Sequence, residues 1–182
     1  MMTVVGGGSV GGAVHTWMAD RIAAGTCRAA GVASGGDVTV LNAKSEHFPN
    51  FRQKLQATGA EVEIHGNKIR AAAPNGLKAV DITTQPFPGF ATDLQAQMMA
   101  LLTRAEGVSR IKETVFENRF MHVQELMRMG ADIDLDGNTA IVRGVEALSG
   151  APVMASDLRA SAALVIAGLM AKQGETAISR VY

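Results

Sequence analysis

Three aspartates, Asp20, Asp93 and Asp157, each open an Ala-rich segment of the chain. A carboxylate at the start of a helix accepts hydrogen bonds from the free amides of the first turn, and the helix dipole favours its charge. Because the feature recurs in all three segments, the pattern alone favours capping. The alternative for Asp93 is chemical, since a carboxylate can act as a general base or as an orienting acceptor for a hydroxyl.

Two arginines, Arg119 and Arg159, could bind an anion. Arg119 follows Asn118 at a predicted helix start, where the helix dipole disfavours a cation, so some group should compensate. Glu117 or solvent could compensate the charge. An anionic ligand could also do so, because a guanidinium binds phosphate or carboxylate in a bidentate manner. Asp157 and Arg159 also have two possible roles. Asp157 could cap the helix while Arg159 is exposed to solvent, or both could line a cleft.

Other chemistry finds little support. The single cysteine, Cys27, cannot form an internal disulfide or a Cys-rich zinc site, and we expect a small buried hydrophobe on the first helix rather than a nucleophile. His122 falls in a predicted helix and is expected to be structural. No metal and no cofactor is predicted, because the four histidines show no metal-ligand spacing: His15, His47, His65 and His122.

The glycines between Gly6 and Gly11 formally satisfy the G-x-G-x-x-G pattern of dinucleotide-binding folds. That fold needs a helix directly after the pattern, and the residues from Gly12 to Thr16 do not resemble a helix start. We therefore expect residues 1–14 to be a flexible glycine-rich leader.

Composition narrows the class of protein. Of 182 residues, 47% are hydrophobic and 19% are charged, which favours a globular core over disorder. Lys plus Arg and Asp plus Glu are both 17, so the basic excess of duplex-binding proteins is missing. The longest apolar run, Ser161–Ala171, is too short to span a bilayer. We expect no nucleic-acid or membrane partner and a cytoplasmic location.

The chain contains an internal repeat, which appears when Glu46–Asn67 is aligned with Glu117–Asn138 without a gap. Each copy predicts an amphipathic helix, a glycine that ends it, and a hairpin of two strands. The second strands are predicted at Lys68–Ala72 and Thr139–Arg143. The apolar residues predicted to share one helix face are Phe48, Phe51 and Leu55 in the first copy and Phe120, Val123 and Met127 in the second.

The segments upstream of these copies repeat as well. Helices are predicted from about Asp20 to Ala33, Asp93 to Thr103 and Asp157 to Ala171, each leading into a short strand that follows a glycine. The repeats span about 20–72, 93–143 and 157–182, and the last is incomplete. Because the first helix of each repeat is apolar on most of its circumference, we expect it to be buried. The prediction is one α/β domain over 15–182, with buried helices inside and sheets outside.

Four motifs resemble one enzyme family, the UDP-N-acetylglucosamine 1-carboxyvinyltransferases or UDP-GlcNAc enolpyruvyl transferases. The similarity runs from about His15 to Tyr182. Local departures are Ala19, Ala91 and Gln124, where the family has proline, and Ala23, where it has glutamate. The motifs are DRIAAGT (Asp20–Thr26), PGFATDLQAQMMALL (Pro88–Leu102), FENRFMHVQELMRMGAD (Phe116–Asp132) and VEALSGAPVMASDLRAS (Val145–Ser161).

The resemblance implies an inside-out α/β barrel domain, one of two in the family's enzyme. It implies transfer of the enolpyruvyl group of phosphoenolpyruvate to the sugar 3′-hydroxyl of UDP-N-acetylglucosamine, in peptidoglycan precursor synthesis. By the same resemblance the catalytic cysteine loop, a Lys-Asn pair and a further phosphoenolpyruvate-binding arginine belong to parts of the family that this chain does not match.

The resemblance also assigns site residues. Asp93 is implied to orient or deprotonate the sugar hydroxyl and to contact the UDP-sugar. The backbone of Val115 is implied to contact the same ligand, although Val115 and Phe116 could equally be loop anchors for the core. Arg119, Asp157 and Arg159 are implied to line the cleft.

A second hypothesis is a catalytically inactive half that binds UDP-sugar or only self-associates. A domain shaped to face another exposes an apolar surface, so a homo-oligomer or a missing partner domain is a further expectation.

Overall fold

The structure is a computed structural model that describes residues 2, 3, 12 and 14–181. The glycine pattern at Gly6–Gly11, and most of the predicted leader over 1–14, lie outside the described residues.

The described part of the chain alternates helices and short strands. Its five α-helices are α1 (Arg21–Ala33), α2 (Pro49–Ala57), α3 (Gln95–Leu102), α4 (Val123–Arg128) and α5 (Leu158–Met170). Its strands are β1 (Asp37–Val40), β2 (Glu61–His65), β3 (Lys68–Ala72), β4 (Ile82–Thr83), β5 (Val108–Lys112), β6 (Asp132–Asp136), β7 (Thr139–Arg143), β8 (Leu148–Ser149), β9 (Pro152–Met154), β10 (Ala171–Gln173) and β11 (Ala177–Ser179).

The first two repeats fold in the same way, as predicted. In the first, β1, β3 and β2 form an antiparallel sheet in that order. In the second, β5, β7 and β6 are arranged in the same way, and β4 adds to the sheet as an edge strand parallel to β5. Strands β3 and β7 have the predicted bounds. Gly59 and Gly130, which follow α2 and α4, both have a φ of 92°, the left-handed conformation expected of a residue that ends a helix.

The third repeat pairs differently. Strand β10 lies parallel to β8, and β11 lies parallel to β9, in two small two-stranded sheets. The strand predicted after Gly174 begins only at Ala177. Short strands of two or three residues, such as β4 and β8, carry too little periodicity to be found in a sequence.

The three first helices, α1, α3 and α5, pack against one another at the centre of the molecule. Every residue of α3 is buried, as predicted. The prediction of burial all round is wrong for α5, because Leu158, Val165 and Leu169 form an exposed apolar line along it, each about half exposed. In the described part of the chain, no helix is both long and apolar enough to cross a membrane.

The second helices show one register error in the prediction. Phe48, Phe51 and Leu55 are buried as expected, but Met127 is 43% exposed and the buried residue of α4 is its neighbour Leu126. The gap-free alignment already placed Leu126 opposite Leu55. Because Met127 was chosen by helical spacing alone, the predicted buried face of α4 is rotated by one residue, or about 100°, from the observed one.

Cys27 is exposed, so the expectation of a buried thiol is wrong. The inward position of α1 is taken instead by the next residue, Arg28, whose guanidinium lies 4.1 Å from the ring centre of Phe48 and 5.3 Å from that of Phe51. Burial, followed by the charge of nearby Arg52, lowers the pKa of Arg28 to about 10.

Candidate functional site

Asp93 does not cap a helix. It lies inside a short 3₁₀ turn, Thr92–Leu94, that precedes α3, and its side chain makes no capping hydrogen bond at either start. Its side chain is 35% exposed and points away from its own helix. The capping role that the three-fold pattern favoured is therefore wrong for this aspartate.

The Asp93 carboxylate is held between two arginines from distant parts of the chain. Arg119 Nη2 donates to Asp93 Oδ1 at 2.7 Å, and Arg159 Nη2 donates to Asp93 Oδ2 at 2.9 Å. Arg119 Nη1 also donates to Thr92 Oγ1 at 3.1 Å, and its guanidinium lies 4.9 Å from the ring centre of Phe116. The fold thus brings together three of the residues that the sequence singled out.

The two guanidiniums keep Asp93 ionised. Partial burial raises the pKa of the Asp93 carboxyl, but the hydrogen bonds and charges of Arg159 and Arg119 outweigh that effect and hold the pKa below its usual range. Arg119 and Arg159 use only part of their five donors each on the described residues, so both can also bind an anion.

The other two aspartates behave as caps. Asp20 Oδ1 accepts from the amides of Ile22 and Ala23, and Asp157 Oδ1 accepts from those of Arg159 and Ala160. Asp157 is nevertheless next to the charged group, because the same first turn of α5 carries Arg159. A role for Asp157 in ligand binding stays a prediction.

Arg119 is not at a helix start. Asn118 has a left-handed φ of 54°, and α4 begins only at Val123, so Arg119 lies in a loop. Its ionic partner is Asp93, not Glu117. The dipole argument applies instead to Arg159, the second residue of α5, where the unfavourable position of a cation is offset by Asp93.

Val115 and Phe116 do not anchor the core through their side chains, since Val115 is 37% exposed and Phe116 is 58% exposed. Their backbones are anchored instead. Glu113 Oε1 accepts from Val115 N at 2.8 Å and from Phe116 N at 3.1 Å. The loop therefore turns both side chains outward beside Arg119.

Two depressions flank the charged group. A groove of about 810 Å³ is lined by Phe116 and Arg119 together with the hairpin turn of β6 and β7 at Gly137 and Asn138. A smaller one of about 150 Å³ is lined by Asp93, Val115 and Arg21 among others. Arg119 therefore lines the larger depression and Asp93 the smaller one, and the ion pair between them forms a rim that separates the two.

Sequence reasoning missed three residues at this rim: Glu113, Thr92 and Arg21. Glu113 directly follows β5, and a glutamate where a strand ends toward a site could have drawn notice. Arg21, the first residue of α1, lies 5.3 Å from the ring centre of Phe87. Nothing in the local sequence distinguishes Thr92 from an ordinary surface threonine.

His122 is structural, as predicted, in the sense that it is only 2% exposed. Burial lowers the pKa of His122 to about 4, with Asp157 acting against that shift and Arg119 adding to it. The imidazole is therefore neutral at physiological pH. Within the described residues, its Nε2 has no hydrogen-bond partner.

The whole chain, residues 1–182, matches the family model described as EPSP synthase (3-phosphoshikimate 1-carboxyvinyltransferase). Relatives named UDP-N-acetylglucosamine 1-carboxyvinyltransferase match it closely. The protein of that name from Anaeromyxobacter sp. (strain Fw109-5) is 60% identical over 168 residues, which cover 92% of this chain and 40% of the relative. The one from Methylobacterium sp. (strain 4-46) is 56% identical, covering 100% of this chain and 42% of the relative.

Solved structures show the same fold. The enolpyruvyl transferase NikO from Streptomyces tendae superimposes with a TM-score of 0.76 at 25% identity, over 84% of this chain and 37% of that one. EPSP synthase from Acinetobacter baumannii does so with a TM-score of 0.61 at 16% identity, over 84% and 38%. The expected enolpyruvyl transferase-like α/β fold is confirmed.

The chain thus has the fold of the enolpyruvyl transferases and belongs to the EPSP synthase family. Within that family, the similarity to UDP-N-acetylglucosamine 1-carboxyvinyltransferases that its motifs indicated is confirmed. The chain spans about 40% of the length of these curated relatives.

Proposed function

We propose that this chain binds the sugar end of UDP-N-acetylglucosamine and serves the transfer of enolpyruvyl from phosphoenolpyruvate to the sugar 3′-hydroxyl. The names of the relatives support UDP-N-acetylglucosamine as the acceptor and a carboxyvinyl group as the group transferred. The observation that carries the proposal is the Asp93 carboxylate. It does not cap its own helix, and two arginines hold it at the rim by hydrogen bonds.

In the proposed reaction, the sugar hydroxyl loses its proton as its oxygen forms a bond to C2 of phosphoenolpyruvate, and C3 gains a proton. The net addition of O–H across the C2–C3 double bond gives a tetrahedral phospho-ketal. The C2–O bond to phosphate then breaks, C3 loses a proton, and inorganic phosphate leaves. Asp93 would accept the hydrogen bond of the attacking hydroxyl. Arg119 and Arg159 would stabilise the phosphate and carboxylate charges, since fixed cations are most effective where charge develops.

The lowered pKa of Asp93 favours one of its two suggested roles. A carboxylate that two guanidiniums hold in its charged form is a weak base, because taking up a proton would give up both charge-assisted bonds. It remains a strong acceptor with a fixed direction. We therefore propose that Asp93 orients the hydroxyl, and that Val115, Phe116 and Asp157 complete the sugar-binding side of the cleft.

This reaction would place the protein in peptidoglycan precursor synthesis, which supplies the cell wall. We propose a cytoplasmic location for the protein. The alternative is a chain that binds UDP-sugar without turning it over, or only self-associates. The exposed apolar line of Leu158, Val165 and Leu169 on α5 supports contact with a further domain or a second copy.

Isothermal titration calorimetry of the 182-residue chain tests the proposal with two ligands, UDP-N-acetylglucosamine and UDP. Asp93→Asn should weaken binding of the UDP-sugar by at least about tenfold, because a charge-assisted bond to the sugar hydroxyl is lost. Binding of UDP alone should change little. Glu146→Gln, an exposed acid that lines neither depression, is the control and should leave both affinities unchanged.

Absence of UDP-sugar binding by the parent chain, or equal binding by parent and Asp93→Asn, would overturn the proposal. Phosphate release from phosphoenolpyruvate and UDP-N-acetylglucosamine separates the alternatives. Release that disappears in Asp93→Ala supports the enzyme, and binding without release supports the binding-only chain.

A further inference from the structure

Beneath the charged rim lies a second carboxylate, Glu113, which is among the residues that line the larger groove but is almost fully buried. It is 3% exposed and directly follows β5. An ionised carboxylate at this depth is costly unless hydrogen bonds satisfy its oxygens. Glu113 accepts four such bonds, and three of the four donors, Thr92 and the amides of Val115 and Phe116, belong to segments that form the rim.

The two oxygens of Glu113 reach three different segments. Oε1 accepts from Thr84 Oγ1 at 2.7 Å and from the amides of Val115 and Phe116 at 2.8 and 3.1 Å. Oε2 accepts from Thr92 Oγ1 at 2.8 Å. One side chain therefore joins the loop after β5 to the 3₁₀ turn that contains Asp93.

Thr92 carries the connection onward to the arginine. Its hydroxyl donates to Glu113 Oε2 and accepts from Arg119 Nη1 at 3.1 Å. Because a hydroxyl has a single proton, donation to Glu113 leaves only its lone pairs for Arg119. The charge of Glu113 thus fixes the direction of the Thr92 hydroxyl, and with it the position of the guanidinium that holds Asp93.

The hydrogen bonds also keep Glu113 charged. Burial raises the pKa of the Glu113 carboxyl, but the bonds from Thr84, Val115, Phe116 and Thr92 outweigh it and lower the pKa below its ordinary value. A neutral carboxylic acid or an amide in this place could not accept from all four donors, since one of its positions would become a donor itself.

The first repeat has a different residue here. Asn42 lies two residues beyond Val40 of β1, as Glu113 lies two beyond Ile111 of β5. The Asn42 side chain is exposed, and it accepts from Asn67 rather than from the backbone that follows. The buried carboxylate is therefore not a requirement of the repeat fold, which argues for a role in the rim of the second repeat.

We infer that Glu113 is a positioning residue for the ligand site: it presents the Val115 loop and, through Thr92, Arg119. The inference rests on the proposed function, because the ligand that uses this rim is the UDP-sugar proposed above. Glu113 is proposed to act through these groups, not as a catalytic residue.

Titration calorimetry with UDP-N-acetylglucosamine tests this with four variants of the 182-residue chain. Glu113→Gln should weaken binding at least about tenfold, because an NH2 group replaces one carboxylate oxygen, so the Thr92 hydroxyl can no longer donate there and loses its fixed direction. Thr92→Val keeps the shape but removes the hydroxyl and should also weaken binding, whereas Thr92→Ser keeps the hydroxyl and should restore most of it. Glu106→Gln, an exposed glutamate just before β5, should bind like the parent.

Two-dimensional ¹H–¹⁵N NMR provides a readout that needs no ligand. The amide protons of Val115 and Phe116 should lie downfield in the parent and in Glu106→Gln, because a charged acceptor polarises the N–H bond. They should move upfield in Glu113→Gln, while the dispersed signals of the core strands show that this variant is folded. Unmoved amides would overturn the inferred contact.

The outcomes distinguish the two proposals. If the parent chain binds the UDP-sugar and Glu113→Gln binds it equally well, the positioning role is wrong and the proposed function stands. If Thr92→Ser loses as much affinity as Thr92→Val, the link through the hydroxyl is wrong. If the parent does not bind at all, the proposed function fails and the positioning role fails with it.

Discussion

The first and second repeats share a backbone but not a chemistry. Both contain the same three antiparallel strands and the same helix–glycine–hairpin unit. Yet Asp20 satisfies the first turn of α1, whereas Asp93 leaves its turn uncapped and bonds to Arg119 and Arg159. The two repeats therefore share the positions that pack in the core, whereas the residues at the rim of the second repeat form ion pairs instead of caps.

Glu113 and Asn42 are a second pair of matching positions that differ between the two repeats. Glu113 follows β5 and Asn42 follows β1, the matching strands of the two repeats, but only Glu113 turns inward to hold a loop and a turn together. An exposed asparagine in a left-handed conformation suffices where no ligand site needs support. The second repeat therefore has a buried charge network at a position where the first has a simple turn.

The largest effect on the free energy of unfolding is expected in α2 and α4, the second helices of the two repeats. Leu126→Ala should lower the free energy of unfolding by about 2–5 kcal/mol, as should Leu55→Ala in the first repeat, because both leave a cavity in the core. Met127→Ala, one residue along on the exposed side, should cost less than about 1 kcal/mol. Urea unfolding measures all three, and a larger loss for Met127→Ala would refute the shared register.

A second prediction concerns His122, whose place in the first repeat is taken by Phe51. The folded-state pKa of about 4 lies below the ordinary value of 6.5, so between these pH values the unfolded chain binds a proton that the folded chain does not. Stability should therefore fall as pH falls from 6.5 to 4, by up to about 3 kcal/mol from this group.

His122→Phe, which gives the second repeat the residue that the first has at Phe51, should remove that part of the pH dependence. Asp93 and Glu113 also have lowered pKa values and lose stability in acid, so the difference between parent and variant isolates the histidine. Urea unfolding at several pH values gives the two slopes, and identical slopes would show that His122 is not buried as a neutral group.

The smallest effect is expected at the helix caps. Asp20→Ala should cost about 1 kcal/mol of unfolding free energy, and Asp20→Asn only a few tenths, since a cap needs an acceptor more than a charge. Hydrogen exchange should speed up at Ile22 and Ala23 in Asp20→Ala. Asp93→Ala should leave exchange in the first turn of α3 unchanged, and faster exchange there would mean that Asp93 caps after all.

Much of the fold could be predicted from sequence. The bounds of strands β3 and β7 follow to the residue, because alternation between glycine turns gives a clear period of two. The pairs β8–β10 and β9–β11 could not be predicted, since parallel partners far apart in the chain leave no local pattern. The exposure of Leu158, Val165 and Leu169 was missed because an apolar helix does not say which side has a neighbour.

The site divides in the same way. The motifs indicated Asp93, Arg119 and Arg159, but pattern alone favoured a cap for Asp93 and a helix start for Arg119, and both were wrong. Glu113 and Thr92 were not singled out, because their importance depends on donors that come from other segments.

The sequence by itself determined the repeat, the family and the residue types available at the rim, because periodicity and motif are properties of neighbours along the chain. Only the tertiary structure decided which of three similar aspartates is a cap and which meets two arginines. That choice depends on side chains 26 and 66 residues away, which nothing but the folding of the chain brings within hydrogen-bonding distance of Asp93.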